Sequence, residues 1–105
     1  MAHKILETYL RTYRRQAGFS QKEIAYLLGW HSASKISRFE HCRITPNLQT
    51  AFSCEVIFHV PVQQLFAGVF LKVEQKTNRR AQLLLRRMKE THPETLTPEK
   101  LKLLK

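Results

Sequence analysis

The sequence predicts an all-α fold, and three observations carry this prediction. Apolar residues recur at the three- and four-residue spacing of amphipathic helices over most of the 105 residues. Glycine and proline are few, three and four respectively, and they divide the chain into short segments. Residues that cap helices stand at the starts of several segments. We therefore expect five short helices in residues 1–68 and a helical extension over residues 69–105.

The first predicted helix spans residues 4–16 and ends at Gly18, because glycine tolerates the left-handed backbone that closes a helix. Its apolar residues are spaced by four and three, so they share one side of a helix. The predicted buried side comprises Leu6, Leu10 and Tyr13.

The second predicted helix starts at Ser20, which forms a capping box with Glu23 three residues later. It is expected to end at Gly29. Its predicted buried residues are Ile24, Ala25, Leu27 and Leu28.

The third predicted helix spans residues 33–40, is capped by Ser32, and buries Ile36 and Phe39. The fourth begins at Asn47, and Pro61 ends it before a short fifth helix over residues 62–66. The predicted apolar stripe of the fourth helix comprises Leu48, Ala51, Phe52 and Phe58.

The extension is predicted to form a long helix to about Thr91, a break at Pro93, and a last helix capped by Thr97. One face of the long helix is apolar and consists of Val73, Thr77, Ala81, Leu84, Leu85 and Met88. The other face is basic and contains Arg79, Arg80, Arg86, Arg87 and Lys89. The apolar face could pack on the preceding helices or form a dimer interface. The basic face could follow DNA phosphates or meet an acidic protein.

Charge gives the first indication of function. The chain has 18 Lys and Arg against eight acids, a formal net charge of +10, which favours a polyanionic partner. The apolar runs are too short for a membrane span, and no signal peptide is visible at the start. We therefore expect a cytoplasmic protein whose two cysteines, Cys42 and Cys54, are reduced.

The second and third predicted helices form a motif of two short helices joined by a tight turn. They contain GFSQKEIAYLLG at residues 18–29 and ISRFE at residues 36–40. With Arg43, PNL at 46–48 and VPVQQLF at 60–66, these stretches resemble the Cro/C1 (XRE) family of helix-turn-helix repressors. The resemblance implies a five-helix, lambda-repressor-like DNA-binding domain whose third helix enters the major groove.

The resemblance also implies that Gln21, at the start of the second helix, donates to a DNA phosphate, and the alternative is an ordinary solvated surface residue. It further implies an ion pair between Arg14 and Glu40 that links the first helix to the third. Weaker candidates for a phosphate contact are Arg43, after the third helix, and Arg11 or Arg15 on the first, and for each of them an ordinary solvated charge is an equal alternative.

Helix geometry indicates which side of the third helix faces DNA. Since Ile36 and Phe39 face the core, the opposite side is directed towards the groove. Arg38 is suited to guanine, with a phosphate contact or a surface ion pair as the alternative, and the methyl group of Ala33 is suited to thymine. Ser34 could bond to a base or a phosphate, or simply cap the helix. The predicted DNA-binding set is Gln21, Ser32, Ala33, Ser34, Lys35, Ser37, Arg38 and Arg43.

Two features depart from the family pattern. The turn through residues 30–32 is one residue longer than usual. The resemblance therefore fixes the residue at which the third helix begins only to within one position. Glu55 stands where many family members carry a small apolar residue, so its carboxylate must reach solvent or a cationic partner.

Neither metal-ligand spacings nor catalytic motifs are present, so we expect no enzyme activity and no cofactor. The predicted function is a sequence-specific transcription regulator that binds an inverted repeat in double-stranded DNA as a homodimer, most simply as a repressor. The alternative is a helical protein-interaction module, such as an antitoxin or a component of a mobile element. A third alternative is nonspecific coating of nucleic acid.

Overall fold

The computed structural model describes residues 5–105 and contains no strand within that range. Its α-helices are α1 Leu10–Ala17, α2 Gln21–Leu27, α3 Ser34–Glu40, α4 Leu48–Phe58, α5 Val62–Leu65, α6 Ala67–Thr91 and α7 Pro98–Leu104, with a 3-10 turn at Pro93–Thr95. The all-α prediction is confirmed. Lys4, where the first helix was predicted to start, lies outside the described residues.

The chain divides into two compact units, Met1–Phe70 and Leu71–Lys105. The second unit contains most of α6, followed by α7, and none of its residues is buried. Thr97 caps α7 as predicted, because its side-chain oxygen accepts a hydrogen bond from the Lys100 backbone N–H.

The core of the first unit consists of two clusters of buried residues. One comprises Leu10, Phe39, Ala51, Cys54, Leu65 and Phe66, and the other comprises Ile24, Ala25 and Ile36. Helix α3 contributes to both clusters, through Phe39 and Ile36 respectively. Trp30, in the turn before α3, also packs against both clusters. The position of α3 is therefore fixed by the core on two sides.

The first helix begins later than predicted, at Leu10. The residues before it make other contacts: the Tyr9 N–H donates to the Leu65 carbonyl at 2.7 Å, and the Thr8 hydroxyl accepts from the Leu10 N–H. Leu6 therefore lies outside the helix and is 44% exposed, contrary to its predicted burial. The helix ends as predicted at Gly18, which has a φ of 80°.

The start of α2 confirms the predicted capping box. The Ser20 hydroxyl accepts from the Glu23 N–H at 3.1 Å, and the Glu23 carboxylate accepts from the Ser20 N–H at 2.8 Å. Ile24 and Ala25 are buried as expected. Leu27 is 49% exposed, so its predicted burial is wrong. It lies on the outer side of α2 because the short helix turns only Ile24, Ala25 and, in part, Leu28 to the core.

Helix α4 begins as predicted, since the Asn47 side chain accepts from the Thr50 N–H at 2.8 Å. The predicted apolar stripe is only half right. Ala51 is buried and Phe58 is half-buried, but Leu48 and Phe52 are 68% and 51% exposed. The inward side of α4 follows the spacing of Ala51, Cys54 and Phe58, which turns Leu48 and Phe52 outward.

Glu55 has a backbone partner rather than a cationic one. Its Oε1 atom accepts a hydrogen bond from the Val62 N–H at 2.8 Å, at the first residue of α5. A carboxylate is favourable at a helix start, where backbone N–H groups have no partner within the helix. The partner of Glu55 is thus a backbone N–H group and not a cation, while the half-buried position of the residue leaves the expected access to solvent uncontradicted.

The two cysteines are expected to differ sharply in reactivity towards a disulfide reagent at pH 8. Burial raises the pKa of the Cys54 thiol from 9.0 to about 11, whereas Cys42 is exposed. Because the thiolate is the reactive form, Cys42 should react in the folded protein and Cys54 only on unfolding.

The free energy of unfolding should decrease between pH 9 and 11. In this range the Cys54 thiol ionises in the unfolded chain but stays neutral in the folded protein.

The control for this thiol titration is Cys42→Ser, which should abolish the fast reaction and leave the slow one. Equally fast reaction of both thiols in folded wild-type protein would contradict the burial of Cys54.

Candidate nucleic-acid interface

Helix α3 presents its polar side away from the core. Ile36 and Phe39 are 0% and 4% exposed, as predicted. Among the predicted DNA-binding residues of this region, Ser34, Lys35 and Arg38 are exposed, whereas Ala33 and Ser37 are half-buried. A row of hydrogen-bonding groups therefore runs along the outer side of a helix that is anchored from behind.

The start of α3 differs from the prediction by one residue. The N-cap position is occupied by Ala33, whose side chain cannot accept a hydrogen bond, and the helix begins at Ser34. The Ser32 hydroxyl compensates from one residue further out: it accepts from the Ser34 N–H at 3.2 Å and lies 3.0 Å from the Ser34 hydroxyl. Ser32 and Ser34 thus place two adjacent hydroxyl groups at the start of α3.

Lys35 lies on the flank of α3 that faces the preceding turn. Its Nζ atom is 4.5 Å from the centre of the Trp30 ring, within the range of a cation–π contact. The Trp30 ring centre is in turn 5.4 Å from that of Phe39. The longer turn therefore supplies an aromatic surface that orients the Lys35 cation beside the helix.

Arg38 is the central cation of the exposed side. Within residues 5–105 its guanidinium group has no ion-pair or hydrogen-bond partner. Its planar fork is free to bind an acceptor pair such as the O6 and N7 atoms of guanine. Arg43 lies beyond the C-terminal end of α3, is also exposed, and places a second cation near it.

The predicted ion pair between Arg14 and Glu40 is present. Arg14 Nε donates to Glu40 Oε2 at 2.6 Å, and Nη2 donates to Oε1 at 3.1 Å. The third guanidinium nitrogen donates to the Phe19 carbonyl at 3.0 Å. The Glu40 side chain is only 1% exposed, so this pair is a buried link between α1 and the end of α3.

Gln21 joins this buried pair. Its side-chain Nε2 atom donates to Glu40 Oε1 at 3.1 Å, and the residue is half-buried at the start of α2. An amide nitrogen carries two hydrogens, so one remains for a second acceptor. The phosphate contact predicted for Gln21 stays a prediction, and the structure assigns this side chain an internal contact as well.

Four residues near this surface were missed by the sequence reasoning. Tyr26 is 83% exposed and, with Lys22 and His31, lines a cleft of about 500 Å³ beside the start of α3. His41 follows α3, with its Nδ1 atom 2.7 Å from the Ser37 carbonyl oxygen. Lys22 and Tyr26 could have been found in the way that the exposed side of α3 was, since both lie away from Ile24 and Ala25, the buried residues of α2.

Residues 5–105 contain neither a cluster of metal-binding side chains nor a membrane-spanning helix. No group of three or more His, Cys, Asp or Glu residues there could hold a metal ion. None of the helices in that range is both long and apolar enough to cross a membrane.

Comparison with known proteins agrees with this geometry. The family model of a helix-turn-helix domain matches residues 6–53, which include α1, α2, α3 and the first half of α4. No curated protein and no solved structure matches the chain. Residues 6–53 are therefore similar to a helix-turn-helix domain, a kind of domain that is typical of DNA-binding regulators.

Proposed function

We propose that this protein is a sequence-specific transcription regulator that reads the major groove of double-stranded DNA with α3. The observation that carries the proposal is the division of α3 into two sides. Its inner side is fixed by both core clusters, and its outer side presents the unpaired guanidinium of Arg38. No exposed residue of α3 is apolar, which favours DNA over a protein partner for this surface.

The outer side of α3 supports a division of roles. Arg38 would contact guanine, and Ala33 would contact a thymine methyl group. Ser34 and Ser37 would donate to base edges or phosphates. The remaining members of the predicted set would hold the phosphate backbone, namely Gln21, Ser32, Lys35 and Arg43.

The regulator resembles the Cro/C1 family, and a homodimer on an inverted repeat is the arrangement we propose. Two-fold symmetry would place the two α3 helices one DNA turn apart, about 34 Å. Repression would then follow from competition with polymerase for the same DNA. Since the chain carries a net charge of +10, phosphate contacts would supply much of the affinity, which should fall steeply with salt.

The test is selection of binding sites from a random duplex library at about physiological salt, followed by binding of the selected site to Arg38→Ala. We expect an enriched palindromic site and a loss of about 1–3 kcal/mol in the variant, because a bidentate base contact is removed. The loss should be largest on the selected site and small on an unrelated duplex.

The matched control is Arg87→Ala, which removes an exposed arginine from α6. If Arg87 contacts a phosphate, Arg87→Ala should weaken binding to all duplexes by the same factor. If Arg87 makes no contact with DNA, the variant should bind as the wild type does. Equal binding to every duplex, unchanged by Arg38→Ala, would overturn sequence-specific recognition by α3.

A further inference from the structure

The outer side of α4 carries an apolar surface that the DNA-reading function does not use. Leu48, Phe52 and Val56, here called the α4 stripe, are 68%, 51% and 73% exposed. Spaced by four residues, they follow one side of the helix over about 12 Å. The opposite side of α4 is also apolar and packs in the core. An exposed apolar surface that continues along a helix in this way often marks a site of protein association.

The charge distribution indicates what could cover the α4 stripe. No lysine or arginine occurs between Arg43 and Lys72, although the chain carries 18 of them. The single carboxylate in this interval, Glu55, is bonded to the start of α5. Two copies of a chain with a net charge of +10 repel each other wherever cations meet. Helix α4, which carries the stripe, contains no cation and adds nothing to that repulsion.

The spacing of the α4 stripe is self-complementary. Leu48 and Val56 lie four residues on either side of Phe52. If two α4 helices meet antiparallel across a two-fold axis, Phe52 faces Phe52 of the partner subunit, and Leu48 faces Val56 of the partner subunit. A two-fold interface requires that one patch fits a second copy of itself.

From these observations we infer that the α4 stripe is the contact between two copies of this chain. The inference rests on the proposed function in one respect, since it supplies the dimer that an inverted repeat requires. Three side chains make a patch well below the roughly 1,600 Å² of a standard stable interface. Association in solution is therefore weak, and neighbouring half-sites on DNA strengthen it by raising the effective concentration.

Sedimentation equilibrium at rising protein concentration tests the contact. Wild-type protein is expected to dimerise, and Val56→Lys or Leu48→Glu alone should weaken dimerisation about tenfold or more, because each buries an unpaired charge against an apolar partner. The double variant Leu48→Glu/Val56→Lys should restore it, since opposite charges then face each other across the axis. The two positions are about 12 Å apart within one helix, too far to pair in the same copy.

Val73→Lys is the matched control, because it makes the same change at an exposed apolar residue of α6. It should leave dimerisation unchanged. A monomer at all concentrations, failure of the double variant to recover, or dissociation by Val73→Lys but not by Val56→Lys would each overturn the inference. The last result would assign the contact to the extension.

Half-site binding separates this inference from the proposed function. Val56 is 73% exposed, so Val56→Lys should fold normally, which circular dichroism checks. The variant should bind a single half-site as wild type does and lose only cooperative binding to the full inverted repeat. Unchanged cooperativity would overturn the α4 contact, whereas unchanged half-site binding by Arg38→Ala would count against DNA reading by α3.

Discussion

Replacing Arg14 by leucine is expected to lower the free energy of unfolding by about 3–5 kcal/mol, the usual cost of leaving one partner of a buried ion pair alone. The Glu40 side chain is 1% exposed and receives two of its hydrogen bonds from Arg14. Without Arg14, Gln21 alone would donate to it from the contacts described above. The carboxylate would then be buried with too few partners to replace its hydration.

Urea denaturation followed by circular dichroism measures this loss. Arg15→Leu is the matched control, because Arg15 is an exposed arginine on the same helix and its replacement should cost less than about 0.5 kcal/mol. The double variant Arg14→Leu/Glu40→Leu should recover a large part of the stability, since no buried charge remains. Equal losses for Arg14→Leu and Arg15→Leu would show that the pair is not buried as described.

The features that the sequence predicted well depend on local spacing. The capping box of Ser20 and Glu23 involves residues three apart, and its two hydrogen bonds form within one helical turn. The inward side of α3 follows from Ile36 and Phe39 alone, because their spacing places them on one side of any helix. The pair of Arg14 and Glu40 is different: 26 residues separate its members, and it was expected only from the resemblance to a family.

The errors arose where tertiary contacts decide between local alternatives. Helix α4 has apolar residues on all sides, so periodicity could not show that Leu48 and Phe52 face outward. The partner of Glu55 is a backbone N–H at the start of α5, and no side-chain pattern records such a donor. The phosphate contact of Gln21 stays a prediction, but the partner of its side chain within the protein, Glu40, could not be predicted, because the two become neighbours only when α2 packs beside α3.

The candidate DNA surface was predictable in outline because it is the remainder of a helix whose core side is known. Its edges were not. The longer turn shifts the cap from Ser32 to Ala33, and it brings Trp30 beneath Lys35. Both effects depend on the path of the turn, which a resemblance to a family with a shorter turn cannot supply.

Gly68→Ala is expected to destabilise the first unit by about 1–3 kcal/mol, the usual cost of overpacking. Gly68 lies in the first turn of α6, and its N–H donates to the Leu6 carbonyl at 2.9 Å. A Cβ atom there would lie 2.5 Å from the Leu6 oxygen and 2.6 Å from the Glu7 Cα. These are backbone atoms, so no side-chain rotation relieves the clash.

The sign of this change is diagnostic, because alanine favours a helix over glycine by up to about 1 kcal/mol. Helix propensity alone therefore predicts that Gly68→Ala stabilises the protein and that Ala67→Gly, at the neighbouring residue, destabilises it. If the close approach dominates, both variants lose stability in urea denaturation. A gain for Gly68→Ala would mean that the segment of Leu6 and Glu7 does not lie against the start of α6, and that the late start of α1 needs another cause.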